Sequence, residues 1–186
     1  MIRKRIIIGI SGATGIQYGI KALELLRELD IETHVIISKA AELVRSYETN
    51  YKHDTIVSLA DKVYALADVG AAISSGSFKT MGMLIAPCSV KTMSEIATGV
   101  TSSLMSRAAD VTLKERRKLV LLFRETPLHA GHIKTMLQIT EMGGIIMPPV
   151  PAFYMQPQSI DDMVKHTVAR ALDLFGFDIE IPRWEQ

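Results

Sequence analysis

The chain has 186 residues, 21 of them Lys or Arg against 20 Asp or Glu, and a formal net charge of +1. Its 48% hydrophobic and 22% charged residues exclude a disordered chain, and the even charge excludes the basic excess of a typical nucleic-acid binder. One cysteine rules out a disulfide scaffold and a cysteine-based zinc site, and no apolar run nears the ~20 residues of a membrane span. The basic start followed by Ile6–Ile10 mimics a signal peptide, but its apolar stretch is too short and runs into a glycine turn. The expectation is one cytoplasmic domain over residues 1–186.

Residues 6–10 are β-branched and predict a strand buried on both faces, ending in Ser11-Gly12-Ala13-Thr14-Gly15. Residues 16–29 follow as an amphipathic helix, with Ile20, Leu23 and Leu26 on one face and Lys21, Glu24, Arg27 and Glu28 away from it. Residues 33–38 predict the second strand and 39–47 the next helix. Short third and fourth strands are expected at 62–65 and 83–86, the latter closing at Pro87-Cys88-Ser89. Helices from Val90 and over 103–116 precede a fifth strand at 119–123, which ends in Arg124-Glu125-Thr126-Pro127. A helix over 129–142, a sixth strand at 144–147 and a last helix over 160–174 complete the chain. Strands alternating with helices imply βαβ units and a parallel sheet. Four of the seven prolines gather within residues 147–157 around Phe153 and Tyr154, in a stiff segment that suits either a connector or a substrate-covering loop.

Gly9, Gly12, Gly15 and Gly19 surround a strand-to-helix turn, where bare backbone can approach a phosphate at a helix N-terminus. The spacing is not that of the dinucleotide fingerprint, and Ser38 stands where an acid would hold an NAD ribose. A mononucleotide or flavin phosphate therefore fits better than NAD, with a ligand-free tight turn as the bland alternative. Ser11, Thr14, Ser38, Ser89 and Thr92 fall at strand ends, where they serve either as helix caps or as ligand contacts in the crevice. The run from Ser74 to Thr80 lacks a Gly-Lys-Ser/Thr ending, which rejects a phosphate loop of the Walker type. Cys88 has no visible base to make it a thiolate, and His129 with His132 finds no third metal ligand. Arg107, Asp110 and Lys114 share a helix face, either as an ion-pair ladder or as a cationic cover for a phosphate. Glu125, beside Arg124 in the crevice, is either an acid/base or a structural partner.

Taken together, Gly9-Ile-Ser-Gly-Ala-Thr-Gly-Ile-Gln-Tyr-Gly19, Ser38-Lys-Ala-Ala41, Glu48-Thr49, Ser74–Ser77, Pro87-Cys-Ser-Val-Lys-Thr92, the Arg107–Arg117 block, Arg124-Glu-Thr-Pro127 and Pro151-Ala-Phe-Tyr-Met-Gln-Pro-Gln-Ser159 resemble the UbiX-type flavin prenyltransferases over nearly the whole chain. The resemblance implies a flavodoxin-like (Rossmann-like) α/β fold, a three-layer open parallel sheet, assembled as a homododecamer with sites at subunit contacts. It also implies that reduced FMN is joined to a dimethylallyl group from dimethylallyl phosphate, without a metal, and that the prenylated FMN serves a UbiD-type decarboxylase. Residue by residue, the match puts FMN on Ser11, Gly12, Ala13, Ser38, Ser89, Val90, Lys91, Thr92 and Arg124. It puts the prenyl phosphate on Arg107, Lys114, Tyr154 and Arg170, with Glu48, Glu125 and Thr14 in catalysis. Thr14 departs from the serine of many members and keeps the hydroxyl. Two other classes compete: a flavin-dependent decarboxylase acting directly on an aromatic or cysteine-derived acid, and a flavin carrier without catalysis. No Pro-x-Met-Asn motif of the cysteine decarboxylases is present.

Overall fold

The computed structural model describes residues 3–184. In chain order the elements are β1 (Arg5–Ile10), α1 (Ile16–Glu28), β2 (Glu32–Ile37), α2 (Lys39–Glu48), α3 (His53–Val57), β3 (Lys62–Tyr64), β4 (Gly82–Cys88), α4 (Val90–Thr98), α5 (Leu104–Lys114), β5 (Lys118–Phe123), α6 (Ala130–Glu141), β6 (Ile145–Ile146) and α7 (Ile160–Asp173). Short 3-10 turns occupy Ala72–Ser74 and Phe153–Met155. All six predicted strands and all six predicted helices are present. The one-turn helix α3 was not expected: it buries only Ile56, too little apolar periodicity to read.

The strands form one parallel sheet in the order β3-β2-β1-β4-β5-β6. Alternate residues of β1 feed opposite cores. Ile6, Ile8 and Ile10 pack with α1 and α7, while Ile7 packs with residues of α4, α5 and α6 on the other face. Both faces are covered, so the strands read as continuous apolar runs. The fold is the flavodoxin-like α/β architecture, with three layers. β4 runs two residues past its expected end because the register shifts between Ile85 and Cys88, a bulge that accommodates Pro87 inside the strand.

Strand order reverses between β1 and β4. In doubly wound sheets, a crevice opens at that switch point, beyond the C-terminal strand ends. The Ser11–Gly15 turn, the Ser89 turn and Arg124 all lie at that edge.

Candidate active site

A cavity of about 970 Å³ opens at the switch point. Its wall includes Gly12, Ala13 and Thr14 after β1, Ser38 after β2, Ser89 to Thr92 after β4, and Arg124 with Glu125 after β5. Ten of the residues assigned by resemblance to the flavin or to catalysis therefore meet in one place. Three helices begin on it. Ser38, Ser89 and Ser103 cap α2, α4 and α5, accepting from the N–H groups of Ala41, Thr92 and Ser106 at 3.1, 3.3 and 3.3 Å. The hydroxyls are thus caps, the bland reading, and cavity residues as well. Helix N-termini present partly positive N–H groups, which suit an anion or a polar ring edge. Arg124 adds a full charge; among the described residues its guanidinium makes no ion pair, and its backbone N–H is fixed to the Cys88 carbonyl at 3.0 Å. Arg124 also lies near Tyr18, whose phenol is pushed up by burial while the arginine opposes that shift.

The glycines divide between cavity and packing. A Cβ on Gly12 would stand 2.3 Å from the Cβ of Ala40, so only glycine lets the β1 turn lie against the start of α2. Gly15 has φ +95°, the left-handed region where a side chain is strained. Gly9 and Gly19 face Ile85 and the Ala86 carbonyl, so they allow close packing and are not on the cavity wall.

Ser11 lies under the cavity and not on its wall. It is 1% exposed, donates to the Pro87 carbonyl at 2.9 Å and accepts from the Ser89 N–H at 2.8 Å. Its hydroxyl therefore pins the β1 turn to the β4 turn. Glu48 sits one shell behind Thr14. Its carboxylate accepts from the Thr14 hydroxyl and from the N–H groups of Gly15 at 2.8 Å and Ile16 at 3.3 Å. A carboxylate from the far end of α2 thus caps α1, which has no side-chain cap of its own. Glu125 accepts from the Thr126 N–H at 2.9 Å, and it forms no ion pair with Arg124.

The remaining candidates lie apart from the wall within one chain. Arg107 pairs with Asp110 at 2.7 Å, but Lys114 pairs with Glu115, so the expected ladder is only half formed. Arg170 pairs with Asp173, and the Tyr154 hydroxyl lies 3.1 Å from Nε2 of His166. The Ser74–Ser77 stretch is tied down by Arg117, which donates to the carbonyls of Gly76 at 2.6 Å and Phe78 at 2.8 Å. Burial pushes the Cys88 thiol up, which removes it as a nucleophile. His129 caps α6 and stacks on His132 with centroids 3.7 Å apart. No group of three metal-binding side chains occurs among the described residues. Sequence reasoning missed Ala65, Leu66, Ala67, Glu95, Ser102, Ser103 and Met105 on the wall. Only the Ser103-x-x-Ser106 capping pattern offered a signal.

A parallel sheet whose switch-point cavity carries Arg124 and three helix starts, and no dinucleotide turn, defines a mononucleotide-binding flavoprotein class. The flavoprotein family matches the chain over residues 1–172. Flavin prenyltransferase UbiX of Neisseria meningitidis serogroup B is 57% identical over 175 residues, 94% of this chain and 93% of that protein. The crystal structure of AnUbiX (PadA1) with FMN and dimethylallyl pyrophosphate superposes with a TM-score of 0.95 at 47% identity, covering 99% of this chain and 100% of that one. A dodecameric FMN-dependent UbiX-like decarboxylase from Escherichia coli O157:H7 superposes equally well, at 0.95 and 46% identity, over 98% and 99% of the two chains. The chain belongs to the flavoprotein family and, within it, to the UbiX flavin prenyltransferases.

Proposed function

We propose that the protein joins a dimethylallyl group from dimethylallyl phosphate to reduced FMN, releasing phosphate, and that the prenylated FMN serves a UbiD-type decarboxylase. The observation that carries this reading is the convergence on one cavity of three helix N-termini and Arg124, which has no ion-pair partner among the described residues, in a chain of this family. The residues present fit FMN: capped helix starts and Arg124 offer donors to its phosphate and polar ring edge, and the volume admits both partners. Reduced FMN, when bound, supplies the nitrogen and carbon nucleophiles. The chain's own work is then threefold. Gly12, Ala13, Ser38, Ser89 to Thr92 and Arg124 hold the acceptor, with Ser11 fixing the two turns beneath it. Arg107, Lys114, Tyr154 and Arg170 neutralise the allylic phosphate as its C–O bond breaks and negative charge gathers on the leaving group. Glu125 takes or relays the ring proton that must leave, while Glu48 and Thr14 hold the start of α1 in place.

The four prenyl-phosphate candidates do not line this cavity within one chain, so we take the working unit to be a homo-oligomer in which a neighbouring copy brings them to it, a dodecamer like the Escherichia coli protein. Exposed Tyr47, Phe153 and Ile160, at 82%, 75% and 75%, support extensive contacts between copies. One free thiol suits the reducing cytoplasm, where we place the reaction. Anaerobic incubation with reduced FMN and dimethylallyl phosphate tests the reading. Mass spectrometry should find FMN carrying one added prenyl group, and phosphate released in equal amount. Unchanged FMN, or carbon dioxide released from an aromatic acid without a prenyl donor, would overturn it.

A further inference from the structure

A second cavity, of about 450 Å³, opens at the other end of the sheet, where β1 begins and the chain enters β4. β1 has six residues, so this end lies about 20 Å from the flavin crevice. Half of its eight lining residues are cations, Arg3, Lys4, Arg5 and Lys79, and none is acidic. Two of the four are already matched. Arg3 pairs with Asp61 at 2.7 Å and with Asp30 at 3.0 Å, and Arg5 pairs with Glu32 at 3.0 Å. Lys4 and Lys79 make no ion pair among the described residues, so their two charges stand unmatched on one wall.

Hydrogen-bond donors are in excess there as well. The Thr80 hydroxyl oxygen is buried without a partner, and the backbone N–H groups of Lys79 and Thr80 meet no acceptor among the described residues. A folded chain rarely keeps a covered hydroxyl unpaired, so this one on a cationic wall points to an acceptor from outside the chain. The wall is also fixed in advance. The Met81 N–H donates to the Arg5 carbonyl at 2.8 Å, and Arg117 donates to the Phe78 carbonyl at 2.8 Å. The Phe78 ring carries the Arg5 guanidinium 4.9 Å from its centroid and meets His34 edge to face. That ring is thus engaged within the fold and offers no platform for a flavin or a base. A compact ligand with more than one negative charge and several acceptor oxygens meets these terms, and a phosphate group is such a ligand. We propose that this cavity is a second anion site, which takes a phosphate group, free or at the end of a small ester, on Lys4 and Lys79. The Thr80 hydroxyl gains the acceptor it lacks when its side chain turns toward the anion. The site is separate from the flavin crevice and independent of the reaction assigned to it.

Calorimetric titration of inorganic phosphate into the FMN-loaded protein, at constant ionic strength set with sodium chloride, reads the site directly. Wild type should show a saturable event that chloride does not reproduce. Lys4→Gln and Lys79→Gln should each weaken it about two- to fivefold, the worth of one exposed ion pair, and both together about tenfold. Thr80→Val removes a hydroxyl that bonds nothing within the chain, so the urea midpoint should hold or rise while the phosphate Kd rises about fivefold. The Michaelis constant for dimethylallyl phosphate should stay within about twofold of wild type in the lysine variants, because the crevice is not touched. The same variants titrated with dimethylallyl phosphate separate the two sources: weakened binding of phosphate alone assigns the free anion, and weakened binding of both assigns the ester as well. Phosphate binding that the lysine substitutions leave unchanged, or that chloride reproduces, would overturn the proposal. So would a Michaelis constant that rises in step with the phosphate Kd, which would give these lysines to the crevice of a neighbouring copy.

Discussion

Single side chains set the chemistry of the crevice, and Glu125 and Ser11 do so in opposite ways. Glu125 is on the wall, held through the Thr126 N–H and free of Arg124, so one of its oxygens remains available for a proton. Glutamine keeps its size and hydrogen bonding but accepts no proton. Glu125→Gln is expected to fold and to bind FMN, while formation of finished prenylated FMN slows by about 100-fold or more, the scale of general-base effects. Rapid-quench mass spectra read this directly, and a wild-type rate would make Glu125 a structural partner only. Ser11 works through other groups. Ser11→Ala leaves the half-buried Ser89 N–H without its partner, at a cost of about 1–3 kcal/mol in stability. Because the same bond sets the β4 turn, the FMN Kd should rise along with the lost stability. A urea midpoint that falls with no change in the FMN Kd would show that the pin matters to the fold and not to the site.

At the scale of helices and strands, α5 offers the sharpest test. It carries Arg107 and Lys114 two turns apart, each with an acidic neighbour, Asp110 and Glu115. Lys114 is exposed, so its pair with Glu115 adds little to stability. Lys114→Ala should raise the Michaelis constant for dimethylallyl phosphate about tenfold, the loss of one charge-assisted hydrogen bond, and leave the FMN Kd unchanged. Equal loss of both would mean the α5 cations only hold the helix. Elements of this kind were legible because apolar runs such as Ile6–Ile10 and the stripe on α1 state their period openly. The site was legible to the extent that it lies at strand ends, where Ser38, Ser89 and Arg124 occur. Leu66 and Met105 reach the same wall from a loop after β3 and from inside α5, and no local pattern marks a residue that tertiary packing delivers. That Ser11 lies beneath the wall was not legible for a related reason: position after a strand does not say whether a hydroxyl faces the crevice or the next turn.

Across the molecule, burial of neutral histidines ties the fold to pH. His34 on β2 is 3% exposed, lies 2.8 Å from the Tyr64 hydroxyl through Nδ1 and 2.9 Å from Glu32 through Nε2, and meets Phe78 edge to face. Burial pulls it below the ordinary range; Glu32 opposes that shift, and Arg5 and Lys62 reinforce it. His166 is shifted the same way at the other face of the sheet. The folded chain therefore binds these protons less readily than the unfolded chain does. The stability gained is complete above the unfolded value of about 6.5 and is lost as pH falls through the folded values. A second loss follows at lower pH. Asp61, Glu32, Glu42 and Asp173 are held below the usual carboxylate range; burial opposes the shift in each, but hydrogen bonds from Thr33 and Arg3, Arg5 and His34, Arg45 and His53, and Arg183 and Arg170 outweigh it. Their contribution is complete above about pH 4 and disappears as they protonate. Acid unfolding should accordingly come in two stages, read as the urea midpoint against pH. His34→Gln keeps a hydrogen-bonding side chain that never charges, so it should flatten much of the first stage and leave the second in place. A first stage as deep in that variant as in the wild type would assign it to His166 or to contacts between copies, and not to the His34 pocket.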